Sequence, residues 1–286
     1  MSATGTGAFT AAVVQMRSGT DPAANVEAFD ALVREAARAG ATYVQTPEMT
    51  GLVQQSRKPF FEAVRAEGDD PLVARAAALA RELSVVLHVG STPIRLSDAQ
   101  AANRAFVFGA NGERLATYDK IHMFDVDLDD GESWRESAVY RPGEEAVAVD
   151  ALGARIALSI CYDVRFPHLY RDHAMAGVTV LTAPACFTRQ TGRAHWHVLQ
   201  RARAIENGAW MISAAQGGDM ADGRTCYGHS LIVSPWGEVV AEVEGEEPGV
   251  ALAEIDPAAA AAARAKVPNL RNARSYAFEA AREAAE

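Results

Sequence analysis

Apolar residues recur along this chain in two rhythms, and their alternation predicts the order of the elements. Residues 9–16, Phe-Thr-Ala-Ala-Val-Val-Gln-Met, form an almost unbroken apolar run and predict a buried strand. Asp21 and Pro22 then open a helix to about residue 39, because Val26, Phe29, Leu32, Val33, Ala36 and Ala37 recur at three- and four-residue steps. Gly40 stops it, and residues 41–45 return as a strand. The cycle repeats with a helix at 71–83 carrying Leu72, Val73, Ala76, Leu79, Ala80 and Leu83 on one face, then strands at 85–90, 103–109 and 113–118. Farther on, strands are predicted at 144–149 and 154–160, a helix at 168–176, a strand at 178–182 and a long helix at 194–207. On that long helix Val198, Leu199, Ala202 and Ile205 are expected in the core, with Arg201, Arg203 and Glu206 free for ion pairs. Strands at 209–215, 228–234, 238–243 and 249–255 follow, then a short Ala-rich helix after Pro257, and no period beyond Pro268.

Strands and helices alternate through the first two thirds, and strands then pair by short turns, so an α/β fold with a mixed sheet system covered by helices is expected. The chain of 286 residues is long for an average domain, yet no linker, composition break or repeat divides it. One domain, 1–286, is the reading, with a core over 8–256 and a C-terminal helix and tail over 257–286. The formal net charge of −10 comes without a basic run, which argues against nucleic acid or a membrane surface as partner. The N-terminus lacks the basic and apolar regions of a signal peptide, and no apolar run approaches the roughly 20 residues of a membrane helix. Three cysteines without a CxxC pattern read as free thiols of a reducing compartment, so a cytoplasmic protein is expected.

Three strand ends carry complementary chemistry. Cys161 stands between the strand at 154–160 and the helix at 168–176, a corner from which a nucleophile projects at the end of a sheet. Taken alone, a single cysteine is more often a small core residue. Glu48, just past the strand at 41–45, is either a general base or a solvated loop acid. Lys120, just past the strand at 113–118, is either an oxyanion-stabilising cation or a surface lysine paired with Asp119. From Ile121 to Gly143 the chain loses its period and gains Asp125, Asp127, Asp129, Asp130, Glu132 and Glu136, a loop long enough to be functional. Asp163 and Arg165 read as a structural ion pair, with Arg165 kept as a candidate carboxylate clamp. His195 and His197, two apart on a helix, point to different faces and read as structural residues, not a chelate. Cys186 reads as a bystander and Cys226 as a thiol without a partner. No Walker loop, Rossmann fingerprint or zinc spacing is present, so neither cofactor nor metal is implied.

Pro47-Glu48, Tyr118-x-Lys120-x-His122-x-Phe124-Asp125 and Cys161-Tyr162-Asp163-x-Arg165-Phe166-Pro167 resemble, in order, the three signatures of the carbon–nitrogen hydrolase (nitrilase) superfamily. Ala194-His195-Trp196, residues 201–207, Tyr227-Gly228-His229-Ser230 and Ser234-Pro235-Trp236-Gly237 extend the resemblance over about 8–256. It implies a four-layer α-β-β-α sandwich and usually a homodimer, with the helix after Pro167 and the C-terminal tail at the interface. It implies Cys161 as nucleophile, Glu48 as base, Lys120 as oxyanion cation and Glu136 as a fourth residue that orients substrate and assists the lysine. Tyr162, Arg165, Phe187 and Thr188 are then expected to bind substrate. Within the superfamily the chain resembles the Nit-type amidases, most of all the branch acting on deaminated glutathione, with an ω-amidase on 2-oxoglutaramate or another small aliphatic or carbamoyl amidase as the alternative. His168 and Thr46 depart from that branch's usual pattern. An inactive relative serving as an interaction module is the non-enzyme alternative, and the intact Glu48, Lys120 and Cys161 argue against it.

Overall fold

The structure, a computed structural model, describes residues 7–127 and 133–279. The chain begins with β1 (Phe9–Gln15), α1 (Pro22–Arg38), β2 (Tyr43–Gln45), α2 (Arg57–Ala63) and α3 (Pro71–Leu83). β3 (Val86–Arg95), β4 (Ala101–Phe108) and β5 (Arg114–Asp119) follow, then a small ribbon of β6 (Asp125–Asp127) and β7 (Ser133–Arg135). The second half comprises β8 (Ala148–Ala151), β9 (Ala154–Ala157), α4 (Pro167–Met175), β10 (Val180–Thr182), α5 (Arg189–Asn207) and β11 (Trp210–Ser213). A second ribbon, β12 (Gly217–Asp219) and β13 (Thr225–Tyr227), precedes β14 (Leu231–Val233), β15 (Val239–Glu242), β16 (Gly249–Ile255) and α6 (Pro257–Lys266).

Two six-stranded sheets result, ordered β16-β1-β2-β3-β4-β5 and β15-β14-β11-β10-β9-β8. In each the inner three strands, β1-β2-β3 and β9-β10-β11, are parallel, and antiparallel strands flank them. The period of two in β1 shows why the layers stack. Ala11 and Val13 enter a core shared with Ile156, Leu181 and Met211 of the other sheet, while Ala12 and Val14 face Phe29, Val33, Leu72 and Leu79 of α1 and α3. Leu169, Tyr170, Trp196 and Ala204 of α4 and α5 pack on the second sheet, completing an α-β-β-α sandwich. Helix starts follow the local chemistry: Asp21 accepts from Ala23 N at 2.9 Å, and Asp70 from Leu72 N at 2.9 Å and Val73 N at 3.0 Å. Each such cap is worth about 1 kcal/mol.

Three expectations need correction. α5 starts at Arg189 rather than 194: Thr188 caps it, and Gly192 fits inside it because a Cβ there would collide with the Tyr227 ring. Its core face is also different. Val198 is 67% and Ile205 51% exposed, whereas Gln200, Arg203 and Asn207 are buried beside Trp196 and Ala204. Part of their polar surface is paired: Ser213 Oγ donates to Gln200 Oε1 at 2.7 Å, Arg203 Nε to Val164 O at 2.8 Å and Asn207 Nδ2 to Arg203 O at 3.0 Å, whereas Gln200 Nε2 and Asn207 Oδ1 have no partner among the described residues. Arg203 does form the expected ion pair with Glu206, at 2.7 Å. Finally, α2 and both ribbons escape the periodicity reading, since three-residue strands and a two-turn helix are too short to show a period. Of the acidic loop, Asp129, Asp130 and Glu132 lie outside the described residues.

Candidate active site

The ends of β2, β5 and β9 meet in one place. After β2 the chain turns through Thr46-Pro47-Glu48 into Met49, whose φ of 59° is left-handed. This turn presses onto Gly90 of β3, where any Cβ would strike the Thr46 and Pro47 carbonyls and the Pro184 ring. The Thr46 hydroxyl, unexpected for its lack of bulk, accepts from Thr50 Oγ1 at 2.9 Å and so stays satisfied in the turn. On the second sheet Cys161 follows β9 at φ 50°, a strained geometry for a side-chain-bearing residue, and its N–H donates to Pro184 O at 2.8 Å.

Glu48, Lys120 and Cys161 are all buried. Lys120 Nζ donates to Glu48 Oε1 at 2.8 Å and to both oxygens of Glu136 at 3.0 and 2.8 Å. Glu48 also accepts from Asn103 Nδ2 at 2.8 Å and, through Oε2, from Cys186 N at 2.8 Å. The Cys161 thiol lies near the same carboxylate and feels its charge. Burial pushes Glu48 up, but Lys120 and these donors outweigh it and hold the carboxyl below its ordinary value. Burial pulls Lys120 down, and Glu136 and Glu48 more than reverse that, raising it well above the usual lysine range. For Cys161, burial and the Glu48 charge raise the thiol well above its ordinary value despite Lys120. The resting arrangement is therefore carboxylate, ammonium and neutral thiol, with the acceptor for the thiol proton nearby in the same site.

Glu136, expected from the resemblance, is placed by three donor groups, since Phe124 N donates to it at 2.7 Å and Asn103 Nδ2 at 3.2 Å in addition to the two bonds from the lysine. Asn103 was not anticipated. The signal for it is a lone amide in the otherwise apolar start of β4, where a buried polar group requires partners.

A cavity of about 270 Å³ opens over these groups. Tyr162, Arg165, Phe187 and Thr188 line it, as do Cys186 and Cys226. His168 does not; it is exposed and meets Phe166 edge-on. The expected ion pair of Asp163 with Arg165 is absent among the described residues. Asp163 is fully buried and accepts from Tyr118 Oη at 2.6 Å, Ile160 N at 2.8 Å and His122 N at 3.0 Å, with His122 Nδ1 at 2.6 Å, so it ties the nucleophile's turn to β5. Arg165 instead turns into the cavity, over the Phe187 ring at 5.2 Å and against His195 Nδ1 at 3.2 Å. Tyr118, His122 and the elbow's own Ile160 N–H together satisfy Asp163, which leaves Arg165 without a counter-charge among the described residues. Cys226, expected alone, has Cys186 as a partner, with the sulfurs 3.3 Å apart. His195 and His197 diverge as expected, to Arg165 and to Glu242.

With this geometry in hand, the comparisons with known proteins are specific. The model of the carbon-nitrogen hydrolase family matches residues 10–265. This chain belongs to the carbon-nitrogen hydrolase family. Over 267 residues it is 36% identical to a Synechocystis protein named deaminated glutathione amidase, covering 92% of this chain and 97% of that one. It is 34% identical over 275 residues to human omega-amidase NIT2, covering 95% and 98%. The crystal structure of the C. elegans NitFhit protein superimposes with a TM-score of 0.87 at 32% identity, covering 94% of this chain. This chain spans 65% of the NitFhit length. The sandwich is thus the nitrilase fold, and the protein is a carbon–nitrogen hydrolase of the amidase kind.

Proposed function

We propose that this amidase hydrolyses a small 2-oxo acid amide, deaminated glutathione first among the candidates, through a Cys161 thioester. The observation that carries the substrate class is Arg165. It lines the cavity beside the nucleophile, and burial pulls its guanidinium below the ordinary value, opposed only by Cys161 and Tyr162. Among the described residues it has no carboxylate partner, whereas Arg135 and Arg224, also at the cavity, are paired with Asp127 and Asp222. A substrate carboxylate would supply the missing charge in a bidentate fit.

In the proposed sequence Cys161 Sγ attacks the amide carbon as its proton passes to Glu48. Lys120 and the Tyr162 N–H stabilise the oxyanion. Glu48 then gives the proton to the departing amine or ammonia as the C–N bond breaks. A water, deprotonated by Glu48, attacks the thioester and restores the thiol. Glu136 and Asn103 orient Lys120 and Glu48, and Phe187 and Thr188 shape the wall.

The test is 2-oxoglutarate release from deaminated glutathione and from 2-oxoglutaramate, with Cys161→Ala as blank. Preference for the former supports the proposal; preference for the latter makes the protein an ω-amidase, the reading the human relative favours. Arg165→Met should raise KM about tenfold or more for either acid while sparing a neutral aliphatic amide.

We also propose a cytoplasmic homodimer. Its support is the three free thiols and the apolar side chains left bare on one chain, with Met175 63%, Val198 67% and Ile205 51% exposed on α4 and α5. A monomer by light scattering at micromolar concentration would refute the dimer. No helix of the described residues is long and apolar enough to cross a membrane.

A further inference from the structure

Away from the cavity floor, three side chains from three elements converge with no role in the chemistry above. His197 projects from α5, His229 follows β13, and Glu242 ends β15. Glu242 Oε1 lies 3.0 Å from His197 Nε2 and 2.6 Å from His229 Nδ1, and the three ligand atoms all fall within 4.8 Å of one another. We propose that His197, His229 and Glu242 bind a divalent transition-metal ion of the zinc class. Four-coordinate zinc holds nitrogen and oxygen ligands at about 2.0–2.2 Å, which separates them by about 3.3 Å. The two histidine–glutamate spacings reach that geometry by opening by about 0.3 and 0.7 Å, and the two imidazole nitrogens, within 4.8 Å of each other, settle at the same separation.

The support around the ligands is built in. The Tyr227 ring stacks on His229 at 4.3 Å and meets His197 edge-on at 6.0 Å, which limits both imidazoles. His229 sits at φ 57°, a left-handed conformation that a histidine adopts only when its surroundings hold it there. Trp196 Nε1 does so by donating to His229 O at 2.7 Å. The side chains are 33%, 24% and 23% exposed for His197, His229 and Glu242, so solvent can deliver an ion and supply a water as fourth ligand. Two imidazoles and one carboxylate suit zinc or cobalt rather than calcium or magnesium, which prefer oxygen. On binding, the proton of each neutral ring resides on its outer nitrogen, Nδ1 of His197 and Nε2 of His229, and Glu242 exchanges two N–H donors for one bond to the metal. The ion would join α5 to the connection after β13; Thr188 and Thr191 at the α5 end and Thr225 and Cys226 of β13 line the cavity.

The experiment is titration of the full-length, chelator-treated protein with cobalt(II), read by visible d–d absorption and reversed by zinc. The expected result is one equivalent with a four-coordinate spectrum lacking sulfur-to-cobalt charge transfer. Uptake should be unchanged in Cys161→Ala and Cys226→Ala and weakened about 10- to 100-fold in Glu242→Gln and in His197→Gln. Both variants keep a hydrogen-bonding side chain, and matched circular dichroism shows that they fold. A thiolate band, loss of uptake in the cysteine variants, undiminished uptake in Glu242→Gln and His197→Gln, or no uptake by the parent protein would each overturn the site.

Discussion

Replacing Lys120 by alanine tests the centre of the reasoning. The ammonium is buried at 2% exposure and makes three hydrogen bonds of 2.8 to 3.0 Å to two carboxylates. Removing one member of such a buried ion pair costs about 3–5 kcal/mol of stability. Against about 5–15 kcal/mol in total the protein should still fold, with its Tm lowered by roughly 10 °C. Loss of an oxyanion donor should lower kcat by about 100- to 1000-fold. A pH signature separates this account from simple loss of packing. In the parent protein Glu48 lies below its unfolded value, so its contribution is present above about pH 4.3 and disappears only as pH falls through its folded pKa. Lys120 lies above its unfolded value, so its contribution holds up to about pH 10.4 and disappears only as pH rises through the higher folded value. Neither group gives a slope between pH 5 and 8. In Lys120→Ala, burial and the neighbouring Glu136 charge raise Glu48 above its unfolded value. Stability should then fall as pH rises through that window, by up to about 1.4 kcal/mol per unit for one proton. Urea unfolding of both proteins at pH 5 and pH 8, with turnover on either amide, reads all three effects. A folded variant with near-normal turnover, or a stability difference identical at the two pH values, would refute the reasoning.

Other consequences are measurable in the same way. Burial pulls His88 down to about 3, so this ring stays neutral when the unfolded chain takes up a proton below about pH 6.5. Its contribution is present above that value and is lost toward acid at about 1.4 kcal/mol per unit; His88→Gln should flatten the urea midpoint between pH 7 and 5. Asp163→Asn should cost about 2–3 kcal/mol and more than tenfold in kcat, because it disturbs the acceptor holding Ile160, Tyr118 and His122 around the nucleophile. Equal kcat in the two proteins by initial rates would remove Asp163 from the positioning of Cys161. Asn103→Leu should lower kcat more than it raises KM, since it takes a donor from both Glu48 and Glu136 without touching the Arg165 region.

The sequence by itself determined the periodic elements and the chemistry at their ends. The strand of residues 9–16, the helices at 22–38 and 71–83, and the strand ends before Glu48, Lys120 and Cys161 were legible because period and capping are local properties, set by neighbouring residues. The resemblance joined those three residues into one mechanism before any coordinates. What was not legible depends on contacts distant in sequence. Arg203 reads as free for ion pairs, yet it and Gln200 are buried, because Val164 and Ser213 wait for them on other elements. Val198 and Ile205 read as core and are bare, since the face of α5 that turns inward is decided by the sheet it lies on. Asn103 joins the site only when β4 lies beside the Glu48 turn, and Arg165 becomes an open cation only once Asp163 is satisfied by Tyr118 and His122. Hydrogen-bond partners, unlike periodicity, are chosen across the whole chain, and so the sequence determined which groups act while the tertiary structure decided which are charged, paired or free.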